Sequence, residues 1–499
     1  MGVKSPHHLL TLSPLHPGMT VRRLFTALFL VALFAMAVRE TKDPDMWWHL
    51  RTGEYILQEG IPRQDVFSFT VPDHEWITHE WLSQVVMWGV YRVDGLPGLM
   101  VVFALLITLT FWLVYLVTPG RPFLAAFVVL LAAFAAAIVW GARPQIFNLL
   151  LTAVFVFLIE RFKDRQIGRR ALWLLPILSC LWANLHSGYL LGVVLLGAYT
   201  VGEALQQWRG GGERTLAWAD IRFLAVMTAL SFGTAVLNPN GPELWIYPFF
   251  TLGSSAMQAY IQEWHSPDFH VNIFWPFLAF AALGVVGMIF SRQRPTWGDL
   301  LLFGGTAAAG LLSARNIPLF AIVSAPIVAR YVLGSLEETA VYPLLSGQTP
   351  ERRATAVMQA LNWIILLLAI AGSLGWAASK IAGNEAAIAE RYPVTAVDYL
   401  QASGLADQPG YNSYNWGGYL IWRGLPVFVD GRADVYGDPF LFYYLQTYEV
   451  TDNWQKPLND YAVAWVLMET GAPLTTLLQA SPDWQLAYAD DVAQIFIRR

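Results

Sequence analysis

DPDMWWHLRTGEYILQEG, residues 43–60, sets two carboxylates, an imidazole and a tryptophan pair directly after a first apolar run. It belongs to a polar stretch, residues 39–95, which also carries Asp65, His79 and Glu80 and ends where the second apolar run begins. Ionisable groups beside a bilayer cost free energy unless they are paired or used, so this cluster marks a candidate site. Pro44 keeps Asp43 out of helical geometry. The residues after it predict a short helix at headgroup depth, with Trp47, Leu50, Tyr55 and Leu57 as its apolar contacts. Asp45 and His49 stand four apart and so share a helical face. Such a pair suits a general base with its orienting partner, or two ligands of a divalent cation such as Mg or Mn. It equally suits a plain interfacial helix, anchored by tryptophan and capped by aspartate.

The rest of the chain decides between soluble and membrane contexts. Of its 499 residues 56% are hydrophobic and only 13% charged, with mean hydropathy +0.45, a composition that points to a polytopic membrane protein. No basic run is long enough for nucleic acid, and the lone Cys180 rules out an intramolecular disulfide. Apolar runs near 22–38, 96–117, 122–141, 146–160, 171–184, 188–205, 222–237, 273–290, 298–313, 316–333 and 358–378 predict eleven spans. Residues 239–260 read as a further re-entrant or interfacial element. Lys and Arg concentrate in the loops on the N-terminal side, as in Arg161 to Arg170, which predicts a cytoplasmic N-terminus. The expected organisation is a cytoplasmic tail at 1–21, a transmembrane domain at 22–378 and an extracytoplasmic α/β domain at 379–499. Arg22-Arg23 followed by an apolar run and Ala35-Met36-Ala37 also fits a secretory signal, which leaves ten spans and the same outside location.

With that topology the remaining polar motifs fall on one side. Arg143 precedes Pro144, His186 lies between Asn184 and Gly188, His265 follows Glu263-Trp264, and Arg315 precedes Asn316. Arginine's planar fork suits phosphate oxygens, although both arginines also suit snorkelling to headgroups. His186 and His265 read as phosphate or metal contacts, or as hydrogen-bonded helix-end residues. Trp76, Trp81, Val85, Trp88 and Tyr91 stand near helical spacing and predict an amphipathic stripe lying in the interface, while for His79 and Glu80 in the same segment a solvated face is the plainer expectation.

In the C-terminal domain, the runs GYLIW, LPVFVDG, AVAWVLME and VAQIFIRR read as strands between helices at 393–403, 438–449 and 472–480. Asp430, Arg432 and Asp434 then emerge after a strand, where ligand sites of α/β domains commonly sit. Asp430 and Arg432 read alternatively as an ion pair holding the domain on the membrane part.

The first-loop DPD, the juxtamembrane helices, the many spans and the outer C-terminal domain resemble the C-type (GT-C) superfamily of integral-membrane glycosyltransferases. DPDMWWHLRTG, IPRQDVFSFT, HEWLSQ, NLHSGYLLG, LNPNG and VFVDGRADVYGD more closely resemble a group of bacterial membrane proteins placed near that superfamily. The resemblance implies transfer of a sugar from a polyprenyl-phosphate donor to a glycan, lipid or protein acceptor on the outer face of the cytoplasmic membrane. It carries the role of base or acceptor-positioning group onto Asp45, with Asp43 next. A transporter or an envelope scaffold is the alternative class. Transporters show internal repeats and mid-span charges, whereas the charges here gather at one face.

Overall fold

The computed structural model describes residues 18–351 and 354–499. The expected tail at 1–21 lies outside the described residues as far as position 17. Among the described residues six helices are long and apolar enough to cross a membrane: Trp81–Val117, Gln145–Lys163, Tyr189–Trp208, Asn272–Phe290, Ala314–Leu336 and Ala356–Ala382. Shorter apolar helices, among them Val21–Ala37, Phe123–Ala136, Leu174–Leu185, Trp218–Thr234 and Trp297–Leu312, pack with them. Thr20, Thr296 and Thr355 cap three of these helices by accepting from the backbone N–H of Arg23, Asp299 and Met358. Each cap satisfies one N–H that the first turn leaves without a partner.

The Ile317–Leu336 helix lies at the centre, packed by Trp275–Phe290, Trp297–Leu312 and Phe123–Ala136. Ala321, Ala325 and Ala329 on it are fully buried, and small residues of this kind let helix backbones approach closely in a membrane. At the far end of the bundle from the first loop, Glu160 accepts from Arg330 (3.1 Å) and Arg214 (2.9 Å), and Asp299 from Arg330 (2.9 Å) and Tyr331 (2.7 Å). That buried network ties together the ends of three helices.

Two expectations about the segments between the spans are corrected. The Asp45–Glu59 helix forms, but Trp47 and Trp48 are buried rather than at headgroup depth. Trp47 packs on Tyr392, Tyr419 and Trp422, with ring centroids 5.2 to 6.0 Å away, because the C-terminal domain sits on this helix. The amphipathic stripe begins a helix at Trp81 that runs on into the second span through a break at Asp94-Gly95. Gly95 has φ +58°, a left-handed conformation glycine adopts without a Cβ clash. Residues 239–260 form two short helices, Glu243–Gly253 and Ser255–Tyr260, with Ile246, Phe249, Phe250 and Leu252 exposed.

The C-terminal domain holds a four-stranded sheet in the order β1-β2-β4-β3, with β1 Gly410–Asn412, β2 Trp465–Glu469, β3 Trp484–Ala489 and β4 Ala493–Arg498. β1 and β2 are parallel and the other pairs antiparallel. The runs AVAWVLME and VAQIFIRR supply β2 and β4 as expected. GYLIW instead ends the helix Tyr414–Trp422, whose buried face meets the first-loop helix. LPVFVDG makes only an isolated bridge, Val427 to Ser68, so Asp430 does not follow a strand. Val427 exchanges backbone hydrogen bonds of 3.2 Å with Phe67 and Phe69, and Thr70 donates to the Phe428 carbonyl at 2.8 Å. The first loop and the C-terminal domain are thereby stitched into one body.

Candidate active site

Asp45 opens the first-loop helix, its N–H held by the Asp43 carboxylate at 2.9 Å. Its own Oδ1 accepts from Trp48 Nε1 at 3.0 Å. Opposite stands Arg143, placed by a tight turn in which its N–H meets the Gly141 carbonyl, just before the Gln145–Lys163 helix. The guanidinium lies 3.2 Å from Asp45, 3.3 Å from Asp43 and 2.8 Å from Glu263. Glu263 reaches it because Ser313 donates to the Glu263 carbonyl and Ala314 N–H to that of His265, fastening the 263–265 turn to the start of a spanning helix.

Three carboxylates around one guanidinium leave surplus negative charge, and the cluster responds by holding a proton. Burial pushes the Asp45 carboxyl up to about 7, against the pull of Arg143 and with the help of Asp43 and Glu263. Arg143 itself holds Glu263 below the usual carboxylate range, overcoming its burial. All four groups line a cavity of about 1470 Å³. Arg315 lines it too, its guanidinium over the Trp264 ring at 4.5 Å, with no carboxylate at ion-pair distance among the described residues.

A second group lines the same cavity. Glu80 faces three imidazoles: His186 Nε2 at 3.2 Å, His49 Nε2 at 3.6 Å and His79 Nε2 at 3.6 Å. His186 accepts the Gly188 N–H at its Nδ1, so its neutral ring carries the proton on Nε2 and donates it to Glu80. Burial lowers His49 to about 3 and His186 to about 4, so both are neutral at pH 7. Burial works against His79 as well, but the charge and hydrogen bond of Glu80 outweigh it and raise the ring. Glu80 is correspondingly held well below its usual range despite its burial. His79 and Glu80 are therefore a sheltered ion pair and not a solvated face.

The i,i+4 spacing does not join Asp45 to His49. Trp48 lies between them, bonded to Asp45 and with its ring 3.6 Å from the imidazole. Each then meets a different partner, Arg143 or Glu80. No group of three His, Cys, Asp or Glu side chains among the described residues is arranged to hold a metal, and the carboxylates that do converge hold a guanidinium. Asp45 and His49 thus do not fit a shared divalent cation.

Of the other expected contacts, Asp434 lines the cavity and accepts from Tyr247 at 3.0 Å. Asp65 and Asp430 do not line it. Both are saturated by Arg432, at 2.6 Å from Asp65 and at 2.6 and 2.8 Å from Asp430, with Tyr436 on Asp430 at 2.6 Å. Arg432 borders the cavity but lies over the Trp76 ring at 4.6 Å with its side chain fully buried, which is the ion-pair reading of this motif. His265 is exposed, bonded to the Ala259 carbonyl and away from the cavity.

Glu263 and Gly431 carry weight that their sequence neighbours did not signal. A Cβ on Gly431 would fall 2.1 Å from Asp45 Oδ1, and one on Gly418 2.5 Å from the Pro44 carbonyl oxygen. Only glycine lets the C-terminal domain close this tightly over residues 43–48.

No protein-family model and no curated protein sequence matches this chain. Among solved structures it is similar to the archaeal oligosaccharyltransferase AglB from Archaeoglobus fulgidus in complex with an inhibitory peptide and a dolichol-phosphate. That likeness has a TM-score of 0.56 and 13% identity, covering 89% of this chain and 69% of that one. The same enzyme tethered to an acceptor peptide containing the NVT sequon gives 0.51 at 13% identity, with the same coverage. The chain has the GT-C fold. ArnT from Cupriavidus metallidurans bound to undecaprenyl phosphate gives 0.48 at 13% identity, over 95% of this chain and 97% of that one. Within this GT-C fold the first loop, the turn after the Phe123–Ala136 helix and the 263–265 turn contribute the carboxylates and the arginine of one cavity.

Proposed function

We propose that the protein is a membrane glycosyltransferase that moves a sugar from a polyprenyl-phosphate donor to an acceptor hydroxyl on the extracytoplasmic face of a bacterial cytoplasmic membrane. In this reading eleven helices span the bilayer, the N-terminus is cytoplasmic and residues 379–499 lie outside as a domain capping the cavity. The observation that carries it is Asp45, a cavity-lining carboxyl whose environment brings it to about 7. A base works best when its pKa lies near the working pH.

Asp45 takes the acceptor proton as the hydroxyl oxygen attacks the anomeric carbon. The bond from that carbon to the phosphate oxygen breaks in the same displacement, and the electron pair leaves with the phosphate. Arg315, the cavity guanidinium without a carboxylate at ion-pair distance among the described residues, receives the growing charge, since a preorganised cation stabilises it with little reorganisation. Arg143 is committed to carboxylates, so its role is to hold Asp43, Asp45 and Glu263 together, not to bind phosphate. A single displacement of this kind inverts the anomeric centre.

The test is transfer of label from polyprenyl-phosphate sugars in membranes holding the wild-type chain or Asp45→Asn. The expected result is a loss of about 10²–10⁴ in rate, the range for removing a general base, with unchanged insertion and thermal unfolding. Equal transfer by both proteins removes Asp45 from the mechanism.

A further inference from the structure

A guanidinium occupies the point where three carboxylates meet. Asp43 accepts the Asp45 N–H at one oxygen (2.9 Å) and faces Arg143 with the other (3.3 Å). Asp45 repeats the pattern, its Oδ1 held by Trp48 Nε1 at 3.0 Å and its Oδ2 left for Arg143 at 3.2 Å. Glu263 brings Oε1 to 2.8 Å from the separate Gln262–Trp264 turn. Each aspartate thus has one oxygen fixed by the protein and one aimed at a shared centre.

Oxygens brought from separate segments to one positive centre are what a hard divalent cation requires, and carboxylate sets suit Mg²⁺ or Mn²⁺. Here a side chain fills the centre. The planar fork of Arg143 lets a single group reach all three carboxylates, Nη1 serving Asp43 and Glu263 while Nη2 serves Asp45. A metal ion and this guanidinium would compete for the same oxygens.

We propose that Arg143 is a resident cation standing where a divalent metal would otherwise be held, so that this chain gathers Asp43, Asp45 and Glu263 without one. The inference rests on the glycosyltransferase reading and deepens it, because it makes transfer independent of divalent metal. It also makes the three carboxylates a latent metal site, which Arg143→Ala would expose.

Binding of Mn²⁺ to the purified full chain, followed by electron paramagnetic resonance, tests it. Wild type should leave the signal that of the free ion, whereas Arg143→Ala should bind Mn²⁺. Adding Glu263→Gln to Arg143→Ala should weaken that binding about tenfold or more, the scale on which the groups around a bound metal act. Arg143→Gln, which keeps more of the side-chain volume, serves if Arg143→Ala does not fold. Transfer of label by the wild type should be the same with EDTA as without it. The proposal is overturned by a wild type that binds Mn²⁺ as tightly as Arg143→Ala, by a folded Arg143 variant that binds no more than the wild type, or by binding indifferent to Glu263→Gln. Wild-type transfer lost in EDTA and restored by Mn²⁺ overturns it as well. A wild type inert in transfer under every condition counts against the glycosyltransferase reading, while the Mn²⁺ titration still decides the role of Arg143.

Discussion

Arg143 and Arg432 sit in the same body and contact the same kinds of side chain, yet they do opposite things. Arg432 meets two carboxylates, Asp65 and Asp430, and all three side chains are sealed from solvent. Arg143 meets three, Asp43, Asp45 and Glu263, and its cluster faces a cavity. The sealed cluster is saturated with hydrogen bonds and has no lone pair to offer a ligand. In the open one burial, reinforced by the neighbouring Asp43 and Glu263 and opposed by Arg143, places Asp45 near 7 and leaves it able to take a proton. Burial, charge balance and access, not residue type, separate the structural arginine from the one that holds the proposed catalytic cluster.

The largest effect should come from breaking the sealed side. Arg432→Leu leaves Asp65 and Asp430 buried without a counter-charge, a cost of about 3–5 kcal/mol. Thermal unfolding should then fall steeply and the C-terminal domain become protease-sensitive, while a variant that unfolds like the wild type contradicts the clamp. A smaller change is expected on the open side. Arg143 pulls the Asp45 carboxyl down against its burial, so Arg143→Gln should move the acid limb of the transfer rate to higher pH. The fold should persist, because the cavity can admit water to the remaining carboxylates. An acid limb that moves downward would mean that Arg143 does not act on Asp45.

Much of the fold was legible because a bilayer demands long apolar helices, and hydropathy registers that demand directly. The first-loop carboxylates were legible for the same reason, as charges where charge is costly. Trp47 and Trp48 misled, since tryptophan beside a span fits an interface as well as a protein core. What buries them is Tyr392, Tyr419 and Trp422, far along the chain. GYLIW misled because a short apolar run has no period of its own and takes its conformation from what it packs on. The Asp45–His49 spacing correctly placed both on one helix, but spacing says nothing of the Trp48 ring that divides them. Glu263 was visible only as a polar residue beside Trp264. Its partnership with Arg143 depends on the 313–314 turn, which no local pattern announces.

In the proposed mechanism Asp45, poised by burial within a three-carboxylate cluster, is the base. The pH dependence of label transfer from a polyprenyl-phosphate sugar measures it most directly. Because the ionised carboxylate is the active form, the rate should rise with pH and reach half its plateau near pH 7, and Asp45→Asn should abolish that limb together with the activity. A rate already flat between pH 5 and 8, or an acid limb that survives unchanged in Asp45→Asn, would contradict it.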